Sequence, residues 1–248
     1  MLSLCLCALL ATTPELPVKL RAGDAEPEDI VTPRVSGLSV PTRTEAGIYL
    51  YGALSTSARP LRALLLRSTD GGAHWTEVLP PVSDSEVLFL DFVGCEGRAL
   101  VGWSTEGPGD IWLYASPDCG ATWKRRSKLP KAVWSEWPEH IAWKDGQNGT
   151  VWLVDTNEEA SRPRALLTRN GGRTWTSPKQ APQEGPPEQS TENPLEVRDP
   201  TGTRWAVIPE DEVLRVERQE QGAPAQVRST LPMHLRRKGK ELVPSRLP

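Results

Sequence analysis

An octapeptide that returns three times constrains this chain more than any other feature. It reads STDGGAHW at 68–75, SPDCGATW at 116–123 and TRNGGRTW at 168–175, and the tryptophans follow one another after 48 and 52 residues. The recurrence extends upstream. Gly47, Gly97, Gly149 and Gly202 open the β-rich runs GIYLYGAL, GRALVGWS, GTVWLVDT and GTRWAVIP, and the first three lie 28, 26 and 26 residues before a motif tryptophan. A second strand-like run precedes each glycine (PRVSGLSV, EVLFLDFV, EHIAW, PLEVR), and a short polar-apolar run follows each tryptophan.

Each unit therefore reads strand, turn, strand, loop, strand, motif, strand. Four strands in about 50 residues is the length of a propeller blade. The expected fold is all-β and β-propeller-like, with four four-stranded blades spanning about 34–82, 83–131, 138–182 and 194–232 inside a domain at 34–232. The fourth unit reads VERQEQGAPAQV where the motif belongs, as terminal repeats often do. With 24 Pro, 20 Gly and a net charge of -3, composition favours many turns and excludes the chain-wide basic field that nucleic acid requires.

The octapeptide is a turn before it is a site. Asp70 and Asp118 can accept from backbone N–H groups two residues on, while Gly72, Gly120 and Gly172 tolerate positive φ without a Cβ penalty. Trp75, Trp123 and Trp175 are expected to fold back over Ser68, Ser116 and Thr168. In the third copy Asn170 replaces the aspartate and keeps a neutral acceptor. This Ser/Thr-x-Asp-x-Gly-x-x-Trp pattern resembles the Asp-box, or bacterial neuraminidase repeat, over three of the four units. The resemblance implies the hairpins of sialidase, sortilin-type and photosystem-assembly propellers, whose functions differ, so it carries fold and not chemistry.

An enzyme reading needs more than hairpins. The sialidases that the motif resembles use an arginine triad, a Tyr–Glu nucleophile and an acid Asp. The nearest arginine motif, TPRVSG around Arg34, lacks the required order, and Tyr49, Tyr51 and Tyr114 all fall inside strand runs. His74, His140 and His234 have no Cys or His at metal-ligand spacing, and DTNEEA at 155–160 has Ala160 where a calcium loop needs Gly. No cofactor and no metal site is expected. GPGD at 107–110 reads as a turn, and Asn148 of NGT is a glycosylation sequon only in a host that uses one.

Outside the repeats, residues 1–14 contain an uncharged apolar run, Leu2 to Ala11, that resembles the core of a secretory signal peptide and is too short to span a bilayer. Lipidation at Cys5 or Cys7 is disfavoured by the leucine preceding each. Export to the periplasm or medium follows, and it leaves Cys95 and Cys119, either two thiols or one disulfide on a shared rim of the second unit. Residues 15–33 can supply a strand that completes the last sheet. The stretch 178–194 reads as a Pro/Gln/Glu-rich mobile insertion, and 233–248 as a basic, solvated tail.

A ligand is expected at WSEWPEH, read as an inter-blade connection. Trp134 and Trp137 are not required by the repeat, and Glu136, Glu139 and His140 accompany them, a combination suited to a sugar ring or a protein anchor. The function expected is an exported, non-catalytic binding or assembly module recognising a glycan or protein, without nucleic acid or a transmembrane span. The alternative is a sialidase-like or other glycoside hydrolase.

Overall fold

A computed structural model describes residues 16–18, 25–26, 28–41, 47–102, 109–157, 163–178, 194–239 and 241–245. They form an all-β, propeller-like fold of four antiparallel sheets, three of them meanders in chain order and the first a meander extended at one edge by the last two strands of the chain. The first sheet holds β1 (Ile30–Ser39), β2 (Ile48–Ser55), β3 (Pro60–Ser68) and β4 (Thr76–Glu77). The second holds β5 (Glu86–Val93), β6 (Glu96–Gly102), β7 (Trp112–Ser116) and β8 (Lys124–Lys128). The third has β9 (Glu136–Trp143), β10 (Gly149–Asp155) and β11 (Arg164–Thr168), with the isolated bridge Leu167–Thr176 in the place of a fourth strand. The fourth holds β12 (Glu196–Arg198), β13 (Arg204–Pro209), β14 (Val213–Gln219) and β15 (Gln226–Pro232).

The basic segment at the C-terminal side is not a solvated tail. Leu235–Lys238 (β16) and Glu241–Pro244 (β17) make a hairpin, and β16 pairs with β1 through Ile30–Arg236 and Val31–Leu235. The strand expected from residues 15–33 therefore begins at Ile30 and meets this hairpin, not the fourth sheet. Leu16, Val18 and Ala25 are also buried, in the core between the first and fourth sheets. The proposed signal segment at 1–14, and the insertion at 178–194 apart from its two ends, lie outside the described residues.

Three apolar cores hold the sheets face to face. The first sheet is buried on both sides, which is why PLRALLLRS reads as a nearly continuous apolar run and not as an alternation. Leu50, Leu64 and Leu66 pack toward Trp205, Val207 and Val216 of the fourth sheet, while Tyr49 and Leu65 pack toward Val87 and Val101 of the second. Leu100 and Leu113 of the second sheet meet Val151 and Leu166 of the third. The packing order is fourth, first, second, third. Among the described residues, no apolar core joins the third sheet to the fourth.

The motif turns are the joints of this arc. In each, the leading hydroxyl accepts from the glycine N–H four residues on: Gly72 to Ser68 at 2.8 Å, Gly120 to Ser116 at 2.8 Å and Gly172 to Thr168 at 2.9 Å. The acidic or amide side chain accepts from residues three and four on, not two. Asp70 takes the Ala73 and His74 N–H groups at 3.1 and 2.9 Å, Asp118 takes Thr122 at 2.9 Å, and Asn170 takes Arg173 and Thr174 at 3.0 Å each.

These bonds turn the fourth motif residue into the left-handed region, with φ of 70° at Gly71, 53° at Cys119 and 69° at Gly171. Its carbonyl then faces the preceding sheet, which donates to it every time. Arg228 Nε reaches Gly71 O at 2.8 Å, the Tyr49 hydroxyl reaches Cys119 O, and Arg126 Nη1 reaches Gly171 O at 2.9 Å. The following glycine is needed because that sheet approaches closely. A Cβ on Gly120 would lie 2.3 Å from the Tyr49 hydroxyl, and one on Gly172 would lie 2.1 Å from Leu113 Cδ2.

The indoles reach across as well. Trp75 Nε1 donates to Ser229 Oγ at 2.9 Å and Trp175 Nε1 to Ser127 Oγ at 3.0 Å, each on the outer strand of the preceding sheet. Trp123 alone donates to its own turn, at Gly120 O. Two of the three indoles thus also rivet neighbouring sheets together, a role the sequence did not suggest.

Candidate functional site

WSEWPEH does not form a connection. Strand β9 starts at Glu136, and the seven residues separate into different environments. Trp134 is 66% exposed, beside Val133. Glu136 is buried, receiving Arg164 Nε and Nη2 at 2.5 Å each and the Ala132 N–H at 2.6 Å. Trp137 packs on the core between the second and third sheets, with the Lys131 ammonium 5.8 Å above its ring. His140 lies 5.4 Å from the Trp152 ring, and Glu139 is half-buried. The five predicted side chains do not converge on one exposed surface, and only Trp134 stands free of the fold.

The motif side chains are occupied by the turns. Hydrogen bonds from the His74 backbone and ring, with Ser68, hold Asp70 far below the usual carboxylate range. The Thr122 hydroxyl and N–H, with Ser116, hold Asp118 down at about 2. Both are anions committed to local donors, the opposite of a general acid at neutral pH. Burial pushes Tyr49 up to about 12 and raises Tyr51 and Tyr114, away from the phenolate a tyrosine nucleophile would need. Cys95 and Cys119 are joined, with Cα atoms 4.0 Å apart and the Cys119 N–H donating to Cys95 O at 2.8 Å. Among the described residues, no group of three or more His, Cys, Asp or Glu side chains is placed to hold a metal ion.

A cavity that the sequence reading missed lies where β1 and the end of β2 meet the fourth sheet and the crossing into β16. It encloses about 820 Å³, within the range of ligand clefts. Ile30, Val35, Leu195, Leu214 and Met233 supply apolar wall, and Glu28, Asp29 and Arg34 supply charge. Two polar side chains in its lining are unusual. Ser55 is only 8% exposed, and its hydroxyl has no hydrogen-bond partner among the described residues. His234 directs Nε2 at the Asp211 carbonyl, 2.9 Å away, while its Nδ1 is shut off from solvent and unpartnered. A carbonyl only accepts, so Nε2 carries the proton, and in the neutral ring Nδ1 is a bare acceptor. Leaving such groups unpaired costs about 1–3 kcal/mol each, so the fold retains them at a penalty.

No motif announces this cavity. Its parts come from β1, the β2 end, β12 to β14 and the β15–β16 crossing, brought together only by the packing of the fourth sheet on the first.

Fold and cavity together define an all-β, propeller-like protein with a side cleft between two blades. No family model matches the chain, and no curated protein does. A solved structure described as YCF48 bound to D1 peptide is similar, with 18% identity and a TM-score of 0.42, over 90% of this chain and 57% of that one. The chain thus spans a little over half the length of the solved chain it matches. No helix among the described residues is long and apolar enough to cross a membrane.

Proposed function

We propose that the chain is an exported, non-catalytic binding or assembly module built on Asp-box repeats, and that its partner is a protein. The observation that carries this reading is the cleft of about 820 Å³ between the first and fourth sheets, with apolar wall from Ile30, Val35, Leu195, Leu214 and Met233 and charge from Glu28, Asp29 and Arg34. The Asp-box assignment is supported by one hydrogen-bond scheme repeated at Ser68, Ser116 and Thr168. Export is supported by the apolar run at 2–11 and by the joined Cys95 and Cys119, which suit an oxidising compartment. A protein partner is favoured over a glycan because the cleft lining contains no Trp, Tyr or Phe on which a sugar face could stack.

A photo-crosslinking residue at Ser57, on the cleft lining, is expected to capture a protein from the native compartment. Thr32→Trp, which narrows the cleft, is expected to suppress that capture without lowering the melting temperature. Capture indifferent to Thr32→Trp, or turnover of a glycoside that survives a second purification, overturns the reading.

A further inference from the structure

Among the described residues, the large hydrophobic side chains left exposed are Val133, Trp134 and Val227, and the first two are neighbours, 44% and 66% exposed. They sit on a built support. The Ala132 N–H donates to the buried Glu136 carboxylate at 2.6 Å, Arg164 Nη2 donates to Pro130 O at 3.0 Å, and the Ser135 hydroxyl donates to Asp155. The Glu136 N–H closes a turn onto Val133 O at 3.3 Å. A loop clamped on both sides has little backbone freedom left to lose when its indole is bound, which suits an anchor residue.

The same chain carries a receptor of matching chemistry. The cleft between the first and fourth sheets offers aliphatic wall from Ile30, Val35 and Leu214 and the Met233 thioether, a favourable neighbour for an aromatic ring, and its 820 Å³ or so leaves room for an indole with a valine beside it. Charge matches as well. Residues 124–134 carry five Lys or Arg and no acid, whereas Glu28 and Asp29 line the cleft against one fixed cation, Arg34. A single molecule cannot join the two, because the cleft lies at the seam of the fourth and first sheets and Trp134 at that of the second and third. The geometry points to self-association, in which Trp134 of one copy, with Val133, seats in the cleft of a second copy of this chain. This rests on the reading of the cleft as a protein-binding site and names its partner. The contact joins two different surfaces, so each copy has one to give and one to receive.

In sedimentation equilibrium the mass of the purified chain is expected to rise above that of a monomer with concentration. Trp134→Ser, an exposed change that leaves the melting temperature in place, is expected to weaken the association about tenfold or more. On the receiving side, Thr32→Trp and Glu28→Lys are expected to do the same. An equimolar mixture of Trp134→Ser and Thr32→Trp, each with one surface intact, is expected to form a heterodimer and nothing larger, and Glu28→Lys takes the second place if Thr32→Trp does not fold. A photo-crosslinker at Ser57, in mixed isotope-labelled and unlabelled copies, is expected to land within 130–137 of the other copy.

A chain that stays monomeric up to millimolar concentration, association indifferent to Trp134→Ser, or two monomeric variants that fail to pair when mixed would each overturn the inference. The reading of the cleft fails separately. If the purified chain stays monomeric while Ser57 captures a different protein in a manner sensitive to Thr32→Trp, self-association is refuted and the cleft still docks a protein.

Discussion

The two boundaries of the fourth sheet are built on opposite plans. Toward the first sheet, more than a hundred residues away in the chain, it shares a core with Leu50, Leu64 and Leu66, grips the Gly71 carbonyl with Arg228 and receives the Trp75 indole on Ser229. Toward the third sheet, its immediate predecessor in sequence, it shares no apolar core among the described residues. The face turned away from the first sheet carries Glu196 paired to Arg204 at 2.5 Å and Glu217 paired to Arg215 at 2.9 Å. A charged, ion-paired outer face is what a capping repeat needs.

The difference teaches that adjacency here follows the joint and not the chain order. A joint between the second and third sheets, or between the fourth and first, consists of an Arg-Ser pair on an outer strand and a motif turn on the next sheet. Arg126 and Ser127 serve the third sheet as Arg228 and Ser229 serve the first. The fourth sheet has no motif turn to offer, and the third carries Thr176-Ser177 after its tryptophan, so the parts are missing from both sides of that seam.

The largest effect should come from the joint itself. Trp75→Ala removes an indole that is 7% exposed in the core of the first and fourth sheets, and a loss of about 3–5 kcal/mol is expected in denaturant unfolding. Trp175→Ala, at the half-buried end of the arc, should cost roughly half as much. Equal losses would mean that the two joints are equivalent and the comparison is wrong.

Replacing Cys95 and Cys119 together by Ser is expected to cost about 2–4 kcal/mol under oxidising conditions, and nothing in excess reductant. The bridge closes a loop of sequence separation 24 and anchors the residue whose carbonyl meets Tyr49. An unchanged midpoint in oxidising buffer would show that this joint stands without its covalent tie. Removing only polar contacts should matter less. Arg228→Met and Ser229→Ala are each expected to cost about 1 kcal/mol, and their double mutant should be non-additive if they act as one joint.

The smallest effect separates the turns by pH. Asp70 and Asp118 are depressed in the folded state, so their contribution is complete above the ordinary carboxylate value of about 4 and is lost as pH falls toward their folded values. Asn170 does not titrate. Asn170→Asp should therefore steepen the fall of melting temperature between pH 5 and pH 2, and Asp70→Asn should flatten it. Parallel profiles would dissociate the carboxylates from the turns.

The strands were legible where period and length agreed. The four glycine-led runs are β2, β6, β10 and β13, and the motif turns fall between the third and fourth strand positions of their sheets. Two features were hidden by strong local signals. In LRRKGKELV the charge run masks Leu235 and Leu242, the two positions that are buried across a Gly239 turn with φ of 67°. In WSEWPEH the proline suggests a break, yet Pro138 sits in β9 at the edge of its sheet beside an irregularity in the pairing with β10, where no ladder N–H is required. The joints left a fainter trace, the Arg-Ser dipeptide at 126 and 228, legible only once the sheets are known to touch. The cleft left none, because its lining is assembled by tertiary packing alone.

The pairing of the first sheet with the fourth also sets a timetable. During synthesis β2 and β3 emerge with one apolar face whose partners, Trp205 to Leu242, follow roughly 150 residues later. At about 5–20 residues per second that face waits roughly 8–30 s, a long exposure for a strand surface. The second and third sheets can dock in the meantime, since their cores draw only on residues already made. The fourth sheet and the β16–β17 hairpin then close the molecule in a late, long-range step, so the nascent chain, and not the finished protein, is where this architecture is most open to aggregation or to a chaperone.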